Sequence, residues 1–373
     1  MSEPEETAAS EQDRRFMAAA IRYSRRNLGL TGTNPSVGTL IVRDDGDGPR
    51  IVGRGVTHIG GRPHAEPQAL DEAGELARGA TAYVTLEPCA HHGRTPPCAE
   101  ALITSGITRV VGAASDPDPR VSGRGYAMLR EAGIEVVENV LAEEAADQLR
   151  GYLNRSSKKR PEVILKLALS ADGKIGIEGE GQVAITGAIA RRQVHRLRAE
   201  SDAILIGIGT ALADDPELTC RLEGLEARSP TRIVLDRNMR LPLDSRLVGS
   251  ARKTPLLLTS AADCEAARQP FADQGVGFIA VDVEGREIAI PELLEDLAER
   301  GISTLIVEGG AFTAEAFLAE HMVDRLALYV GPAEIGERGI PAPVTPQDVP
   351  HGMVLKREAQ YGPDRYFEYV REG

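Results

Sequence analysis

Three side chains able to hold a soft divalent metal stand at His64, Cys89 and Cys98, each beside a turn-forming stretch. Gly60-Gly61-Arg62-Pro63 precedes the histidine, Pro88 the first cysteine and Pro96-Pro97 the second. A fold that uses them together must bring three loop-to-element junctions to one point. An imidazole and two thiolates can hold Zn²⁺ with its fourth position open, which distinguishes a catalytic zinc site from a structural one. Zinc in turn lowers the pKa of a bound water toward neutrality. Glu66 lies two residues after His64 and need not touch the metal. Its carboxylate can carry that water's proton to a departing amine. A closed site with His91 or His92 as fourth ligand, or a pair of unrelated buried cysteines, would leave Glu66 without a task.

The order His-x-Glu, then Pro-Cys, then Cys carries the roles of the signature shared by zinc nucleobase deaminases. One departure is visible. Eight residues separate Cys89 from Cys98 where the short signature has two, so a longer loop, Ala90 to Pro97, replaces the tight turn.

Bulk properties narrow the partners. The chain has 373 residues, which favours two domains over one. No apolar run approaches the ~18 residues that would span a membrane. The acidic first twelve residues lack the apolar stretch of a secretory signal and read as a disordered tail, so a cytoplasmic protein is expected. A net charge of −13 argues against nonspecific nucleic-acid binding. It leaves room for a phosphorylated small molecule, for which one local arginine pocket suffices. Cys220 and Cys264 lie outside the motif and read as ordinary reduced thiols.

Periodicity gives an alternating α/β pattern twice over. The first round runs from a helix over 12–27, through strands at 37–42, 81–86 and 109–113, to a helix over 125–132. His64 opens a helix reaching about Arg78, and Cys98 opens another. The polar segment from Asn154 to Pro161 marks a boundary, so we expect a first domain over 13–150, a linker over 151–160 and a second domain over 161–373. In the second domain, strands are expected at 163–169, 203–208, 232–236, 256–258, 277–281, 304–307 and 325–330, with helices at 188–198, 290–299 and 313–319.

The stretch Thr85-Leu86-Glu87-Pro88-Cys89-Ala90-His91-His92-Gly93-Arg94-Thr95-Pro96-Pro97-Cys98 resembles the deaminase motif of the bifunctional riboflavin-biosynthesis deaminase-reductases. Asn34-Pro35-Ser36-Val37-Gly38 matches that family's second deaminase element. Leu212-Ala213-Asp214-Asp215-Pro216 and Val307-Glu308-Gly309-Gly310 match its reductase half. The resemblance runs from about Arg15 to Tyr369. It implies a cytidine-deaminase-like α/β/α domain followed by a dihydrofolate-reductase-like α/β domain. It also implies zinc on His64, Cys89 and Cys98, with Glu66 as proton shuttle. By the same resemblance Asn34 holds a pyrimidine, and His91 and Arg94 contact a phosphorylated pyrimidine substrate. The implied reactions are deamination of 2,5-diamino-6-(5-phosphoribosylamino)pyrimidin-4-one and NADPH-dependent reduction of its ribosyl chain to ribityl. A homo-oligomer is compatible with the family.

The second half carries no G-x-G-x-x-G after its first strand, so the standard dinucleotide fingerprint is missing. Glycines at Gly207-Ile208-Gly209-Thr210 and Gly309-Gly310-Ala311 sit where strands meet helices, positions that let backbone N–H groups approach a phosphate. Matched to the family, Ala168, Thr210, Asp214, Gly310, Ala311 and Phe312 face the cofactor. Arg198, Leu218, Arg221 and Glu308 face the reductase substrate, the two arginines as a phosphate clamp. Arg237 follows a strand end and is a candidate for the cofactor's ribose 2′-phosphate. Lys166 and Asp172 match recurring positions without an assigned step. Many members carry a Gly-Glu-Ser-Gln-Trp-Ile-Thr-like segment that contacts substrate and nicotinamide. Here it reads Gly179-Glu180-Gly181-Gln182-Val183-Ala184-Ile185-Thr186, without the serine or the tryptophan. That change opens the alternative of a deaminase with a degenerate, non-reducing second domain. A metal-stabilised binding module is the alternative from outside enzymology, and it has no use for Glu66.

Overall fold

A computed structural model describes residues 9–93, 96–261, 264, 267–281, 283–284 and 287–372. The chain divides into two compact units, Met1–Lys159 and Arg160–Gly373.

The first unit contains α1 (Glu11–Ser24), β1 (Gly38–Arg43), β2 (Arg50–Val56), α2 (Ala65–Ala73), β3 (Thr81–Leu86), α3 (Cys98–Thr104), β4 (Arg109–Ala114), α4 (Arg124–Glu131), β5 (Glu135–Val137) and α5 (Ala142–Lys158). Its sheet has the order β2-β1-β3-β4-β5, with β1 antiparallel to both neighbours and β3, β4 and β5 parallel. Helices α1 and α5 pack together on one face, and α2, α3 and α4 form the opposite layer. Helix α1 starts in a reciprocal capping box between Ser10 and Asp13. Asp13 also takes a two-pronged ion pair from Arg109 on β4 and the Tyr83 hydroxyl from β3, which ties the helix to the sheet.

Strand β2 was not among the expected elements, and Gly53 and Gly55 interrupt its apolar pattern. The reason for them is packing. A Cβ on Gly53 would lie 2.0 Å from the Ala69 carbonyl oxygen, and one on Gly55 would lie 1.8 Å from that of Ala65. Two bare glycines let the backbone of α2 lie directly on the strand.

Two boundaries differ from expectation. Helix α1 already covers Glu11 and Gln12, which the sequence reading placed in the tail; residues 1–8 lie outside the described residues. Helix α5 runs unbroken to Lys158, so 151–158 is helix rather than linker. Its polar sequence hid a narrow buried stripe of Ala145, Leu149, Gly151 and Asn154.

The second unit contains β6 (Glu162–Leu169), β7 (Lys174–Ile177), α6 (Ala188–Ala199), β8 (Ala203–Gly207), α7 (Ile208–Asp214), β9 (Thr231–Leu235), α8 (Arg246–Gly249), β10 (Leu256–Ser260), α9 (Gln269–Ala272), β11 (Gly277–Ala280), β12 (Val283–Glu284), β13 (Glu287–Ile288), α10 (Ile290–Glu299), β14 (Thr304–Val307), α11 (Ala311–Ala319), β15 (Arg325–Val330), β16 (Gly339–Pro341), β17 (Met353–Tyr361) and β18 (Asp364–Arg371). Nine strands form one sheet in the order β11-β10-β9-β8-β14-β6-β15-β18-β17. The run from β11 to β15 is parallel, and β18 and β17 continue it antiparallel. The central strands β6, β8 and β14 are nearly continuous apolar runs, as strands covered on both faces must be. The late strand β14 inserts between β6 and β8. That insertion makes a topological switch point, where open α/β sheets leave a crevice at their carboxyl ends.

Candidate active sites

The first site grows from the amino-terminal turn of α2 and the loop after β3. His64 is the N-cap of α2, and Glu66 lies on its first turn with 4% of its surface exposed. Cys89 follows the end of β3, and Cys98 opens α3. The donor atoms of His64, Cys89 and Cys98 all lie within 4.8 Å of one another. His64 Nδ1 stands 3.3 Å from Cys98 Sγ and 3.8 Å from Cys89 Sγ. Tetrahedral zinc with ordinary Zn–N and Zn–S bonds would put such atoms ~3.6 Å apart, so this donor set fits the ion.

Electrostatics favour the ionised form of the first thiol. Cys89 Sγ accepts from the Cys98 backbone N–H at 3.2 Å. The Cys98 thiol, then His64, hold Cys89 well below the ordinary thiol range, and their mutual hydrogen bond pushes Cys98 up. A divalent cation among these donors would displace the shared proton. Burial, and next the charge of Cys89, push the Glu66 carboxyl up to about 7. A carboxyl poised there suits proton transfer near neutral pH.

The other expected residues of this site are distributed unevenly. Asn34 is half-buried against Gly61, where a Cβ would come within 2.3 Å of Asn34 Nδ2. Gly61 has a φ of +88°, so this approach of the Asn34 loop to the His64 loop requires glycine twice over. His91 is half-buried, with its Nδ1 enclosed and unpartnered. His92 is exposed and faces Glu100 at 3.6 Å. Neither histidine joins the three-donor cluster among the described residues, which leaves the fourth position open. Arg94 lies outside the described residues.

The second site is a cavity of about 1020 Å³ at the switch point of the nine-stranded sheet. Ala168, Thr210, Asp214, Arg237, Gly310, Ala311, Phe312 and Glu308 all line it. Helices α7 and α11 begin at its wall with Gly207 and Gly310 as N-caps, and neither has a side-chain cap. Their first N–H groups therefore point at the space with few internal partners. Gly310 N–H is held by Thr210 Oγ1 at 3.1 Å. Gly209 has nothing within 4 Å of where a Cβ would sit. The cavity, its two helix ends and its glycines fit a dinucleotide phosphate bridge.

Glu308 sits at the end of β14 in a buried charge cluster. Arg198 from α6 grips it with Nε at 2.8 Å and Nη2 at 2.9 Å, and Lys166 Nζ lies 3.5 Å away. Burial alone would raise this carboxyl, but Arg198 and then Lys166 overcome it and hold it at about 2. Both arginines expected to clamp a phosphate are paired with carboxylates in this structure. Arg198 is committed to Glu308 and to the Thr219 carbonyl at 3.1 Å. Arg221 is exposed and paired with Glu217 at 3.0 Å. Leu218 is buried at 4% exposure, with a φ of +55°. None of the three borders the cavity as Glu308 does. A pairing across 110 residues leaves no local trace in sequence, which is why Arg198 was matched to a substrate phosphate and not to Glu308.

Asp172 has a structural explanation. Its carboxylate accepts from Ser170 Oγ at 2.6 Å and from the N–H groups of Ile335 and Gly336 at 3.0 and 2.8 Å. The altered segment lines the cavity from Gly179 to Val183 and again at Ile185, and does not fill it. Arg240, Ile288 and Ile290 also border the cavity, and no motif marked them.

Comparison with known proteins now decides the family. Residues 10–114 match the cytidine and deoxycytidylate deaminase zinc-binding region, and residues 161–365 match the RibD C-terminal domain. The riboflavin biosynthesis protein RibD of Aquifex aeolicus is 38% identical over 327 residues, covering 88% of this chain and 89% of that protein. The chain belongs to the RibD family. Among solved structures, Acinetobacter baumannii RibD superposes with a TM-score of 0.85 at 36% identity, covering 97% of this chain and 99% of that one. A Thermotoga maritima protein described as a diaminohydroxyphosphoribosylaminopyrimidine deaminase/5-amino-6-(5-phosphoribosylamino)uracil reductase gives 0.85 at 33% identity, covering 96% and 99%. This RibD-family chain is accordingly a bifunctional riboflavin-biosynthesis enzyme, with a zinc-dependent deaminase half and an NADPH-dependent reductase half. No helix among the described residues is long and apolar enough to cross a membrane.

Proposed function

We propose that the first unit deaminates 2,5-diamino-6-(5-phosphoribosylamino)pyrimidin-4-one and that the second reduces the ribosyl chain of the product. The observation that carries this reading is the convergence of His64, Cys89 and Cys98 beside a buried Glu66. The activity printed for the Thermotoga maritima neighbour supplies the substrate.

In the deaminase half, His64 Nδ1 and the two thiolates would hold the zinc. When bound, zinc supplies a Lewis acid that makes water a nucleophile near neutral pH. Glu66 takes the proton of that water and returns one to the leaving amine, a task that its raised pKa permits. Asn34 orients the pyrimidine from the side of the His64 loop, and His91 contacts it from the loop between the cysteines.

In the reductase half, the N–H groups at the starts of α7 and α11 would hold the pyrophosphate of NADPH, with Thr210 fixing Gly310 between them. When bound, NADPH supplies a hydride. Glu308, kept ionised by Arg198 and Lys166, offers acceptor oxygens to the sugar hydroxyls. Positioning of the two reactants dominates such a transfer. Against the degenerate alternative stands an open cavity, which the altered segment borders.

We further read the chain as cytoplasmic and without a nucleic-acid partner. Two zinc-holding thiolates suit a reducing compartment, and a net charge of −13 disfavours phosphate-backbone binding.

Zinc-loaded protein incubated with the phosphoribosylamino pyrimidine, with and without NADPH, tests both halves by mass spectrometry. Deaminated product alone without NADPH, and deaminated and reduced product with it, are the expected results. Deamination that NADPH leaves unchanged would sink the reductase assignment and leave the deaminase standing.

A further inference from the structure

Helix α5 carries a row of polar side chains that neither reaction uses. Gln148, Tyr152 and Arg155 follow one another at steps of four and three, so they share one face of the helix. All three are half-buried, and each reaches out of the helix to a loop. Those loops flank the strand end that delivers Cys89. Strand β3 lies between β1 and β4. On the β1 side, Gly38 N–H donates to Thr85 Oγ1 at 3.0 Å, which sets the Asn34 loop beside the last residues of β3. On the β4 side, Leu86 pairs with Ala114 and Glu87 N–H donates to the Ala114 carbonyl at 2.9 Å. The segment after β4, Ser115 to Asp118, therefore runs alongside the approach to Cys89.

Both loops are held from behind. Arg155 donates to the Thr33 carbonyl. Gln148 Nε2 donates to the Ser36 carbonyl at 3.3 Å, and Gln148 Oε1 accepts from Ser24 Oγ at 2.5 Å. Thr33 and Ser36 bracket Asn34, so both ends of that turn are tied to one helix. Thr31 Oγ1 closes the turn on the Asn34 carbonyl at 2.7 Å. Between these two attachments on α5, the Tyr152 hydroxyl donates to Asp116, with both carboxylate oxygens at 3.1 Å. Asp116 is 6% exposed, and its Oδ1 accepts the Asp118 N–H at 2.9 Å, which folds Asp116-Pro117-Asp118 into a tight turn. The Arg155 guanidinium also stands over the Tyr152 ring, 5.9 Å from its centroid, and so links the two supports. The zinc donors His64 and Cys98 stand at the starts of α2 and α3, and Glu66 on α2, in the layer across the sheet from α5.

We propose that Tyr152 and Arg155, assisted by Gln148, are positioning residues for deamination, fixing the separation of the two loops between which the pyrimidine lies. This rests on the reading of the first unit as a pyrimidine deaminase and adds to it the parts that set the width of its pocket. Hydrogen bonds to a carboxylate or from a guanidinium are stronger than those between neutral groups. A buried acid that loses its donor must move or take up a proton. Releasing either loop should therefore weaken capture of the pyrimidine while the metal and Glu66 stay where they are.

The test is steady-state deamination of the phosphoribosylamino pyrimidine by the full chain, with rates normalised to bound zinc and zinc affinity measured by chelator competition. Arg155→Ala and Tyr152→Phe should each raise KM about tenfold, the size expected for one lost hydrogen bond to a charged group, with kcat within about threefold and zinc affinity unchanged. Arg155→Lys, which keeps a cationic donor, should bring KM most of the way back. A role in stability alone would lower kcat with the share of folded, zinc-holding protein and leave KM where it is. An unchanged KM in either variant would overturn that residue's role. Zinc lost in step with activity, or an Arg155→Lys protein no better than Arg155→Ala, would overturn the proposal while leaving the deaminase reading intact. If the unaltered chain did not deaminate the pyrimidine, that reading and this proposal would fall together.

Discussion

Replacing Gly55 with alanine should damage the zinc site although residue 55 touches no ligand. An ideal Cβ at this position lies 1.8 Å from the Ala65 carbonyl oxygen and 2.8 Å from the Ala69 nitrogen, both backbone atoms of α2. Carbon and oxygen need about 3.4 Å, so strand and helix must part by ~1.6 Å, a strain in the range of overpacked cores. Strand β2 is at the edge of its sheet and can take some of that movement, while α2 is also held by β1. An equal division still displaces α2 by ~0.8 Å, several times the ~0.2 Å tolerance of a metal–ligand distance. His64 and Glu66 ride on α2, whereas Cys89 lies in the β3–α3 loop and Cys98 opens α3, separate elements that need not move by the same amount. Zinc affinity should therefore fall at least ~10- to 100-fold, the range seen when the support of a ligand is removed. Deamination at saturating zinc should fall by a comparable factor, since ~1 Å of misplacement costs about that much. Competition with a chromophoric chelator measures the first quantity and a coupled ammonia assay the second. NADPH binding by the other unit reports that the chain is otherwise intact. Gly249→Ala, where no atom lies within 4 Å of the new carbon, is the matched control. A Gly55→Ala protein that holds zinc and deaminates like the unaltered one would refute the claim that this glycine sets the ligand geometry.

Three further outcomes are expected. Glu66→Gln should retain zinc, measured by metal analysis, and lose deamination by roughly 10²- to 10⁴-fold, the usual contribution of a positioned proton-transfer group. Chelation should abolish deamination and leave NADPH binding intact, because every residue lining the dinucleotide cavity belongs to the second unit, as titrations before and after dialysis would show. Glu308 is held at about 2, below its unfolded value, so its contribution to stability is full above ~4.5 and fades as pH falls toward 2. That contribution is on the order of 3 kcal/mol. Urea titrations at pH 6 and pH 3 should therefore differ less for Glu308→Gln than for the unaltered chain, and the variant should be the weaker of the two at pH 6, where it leaves Arg198 and Lys166 without their counter-charge.

What the sequence discloses and what it hides follow from the range over which each signal acts. Strands β3, β4, β6 and β14 and helix α10 are visible because apolar side chains recur within one element and bury there. The metal triad is visible for a different reason: soft ligands beside a lone carboxylate have few other uses, wherever the fold carries them. Charges are harder to read. Arg198 matches a substrate contact in sequence, but in the fold it grips Glu308 on β14, and Arg232, which no motif marked, is fully buried and donates to the carbonyls of Glu217, Thr254 and Pro255. The antiparallel pair β17 and β18 was missed because β17 is largely solvent-facing, so it lacks the apolar alternation of a covered strand.

Gly53 and Gly55 show how misleading a locally correct rule becomes when tertiary packing overrides it. Glycine weakens an isolated strand, so the rule argues against one here. In this fold the absence of side chains is what the strand contributes, because any Cβ would occupy the space of the α2 backbone. Local disfavour at two residues is thus offset by the close docking of a helix that begins with His64 and carries Glu66 on its first turn. Function therefore enters the sequence at β2 as an apparent defect, and the depth of that docking is what the Gly55 substitution measures.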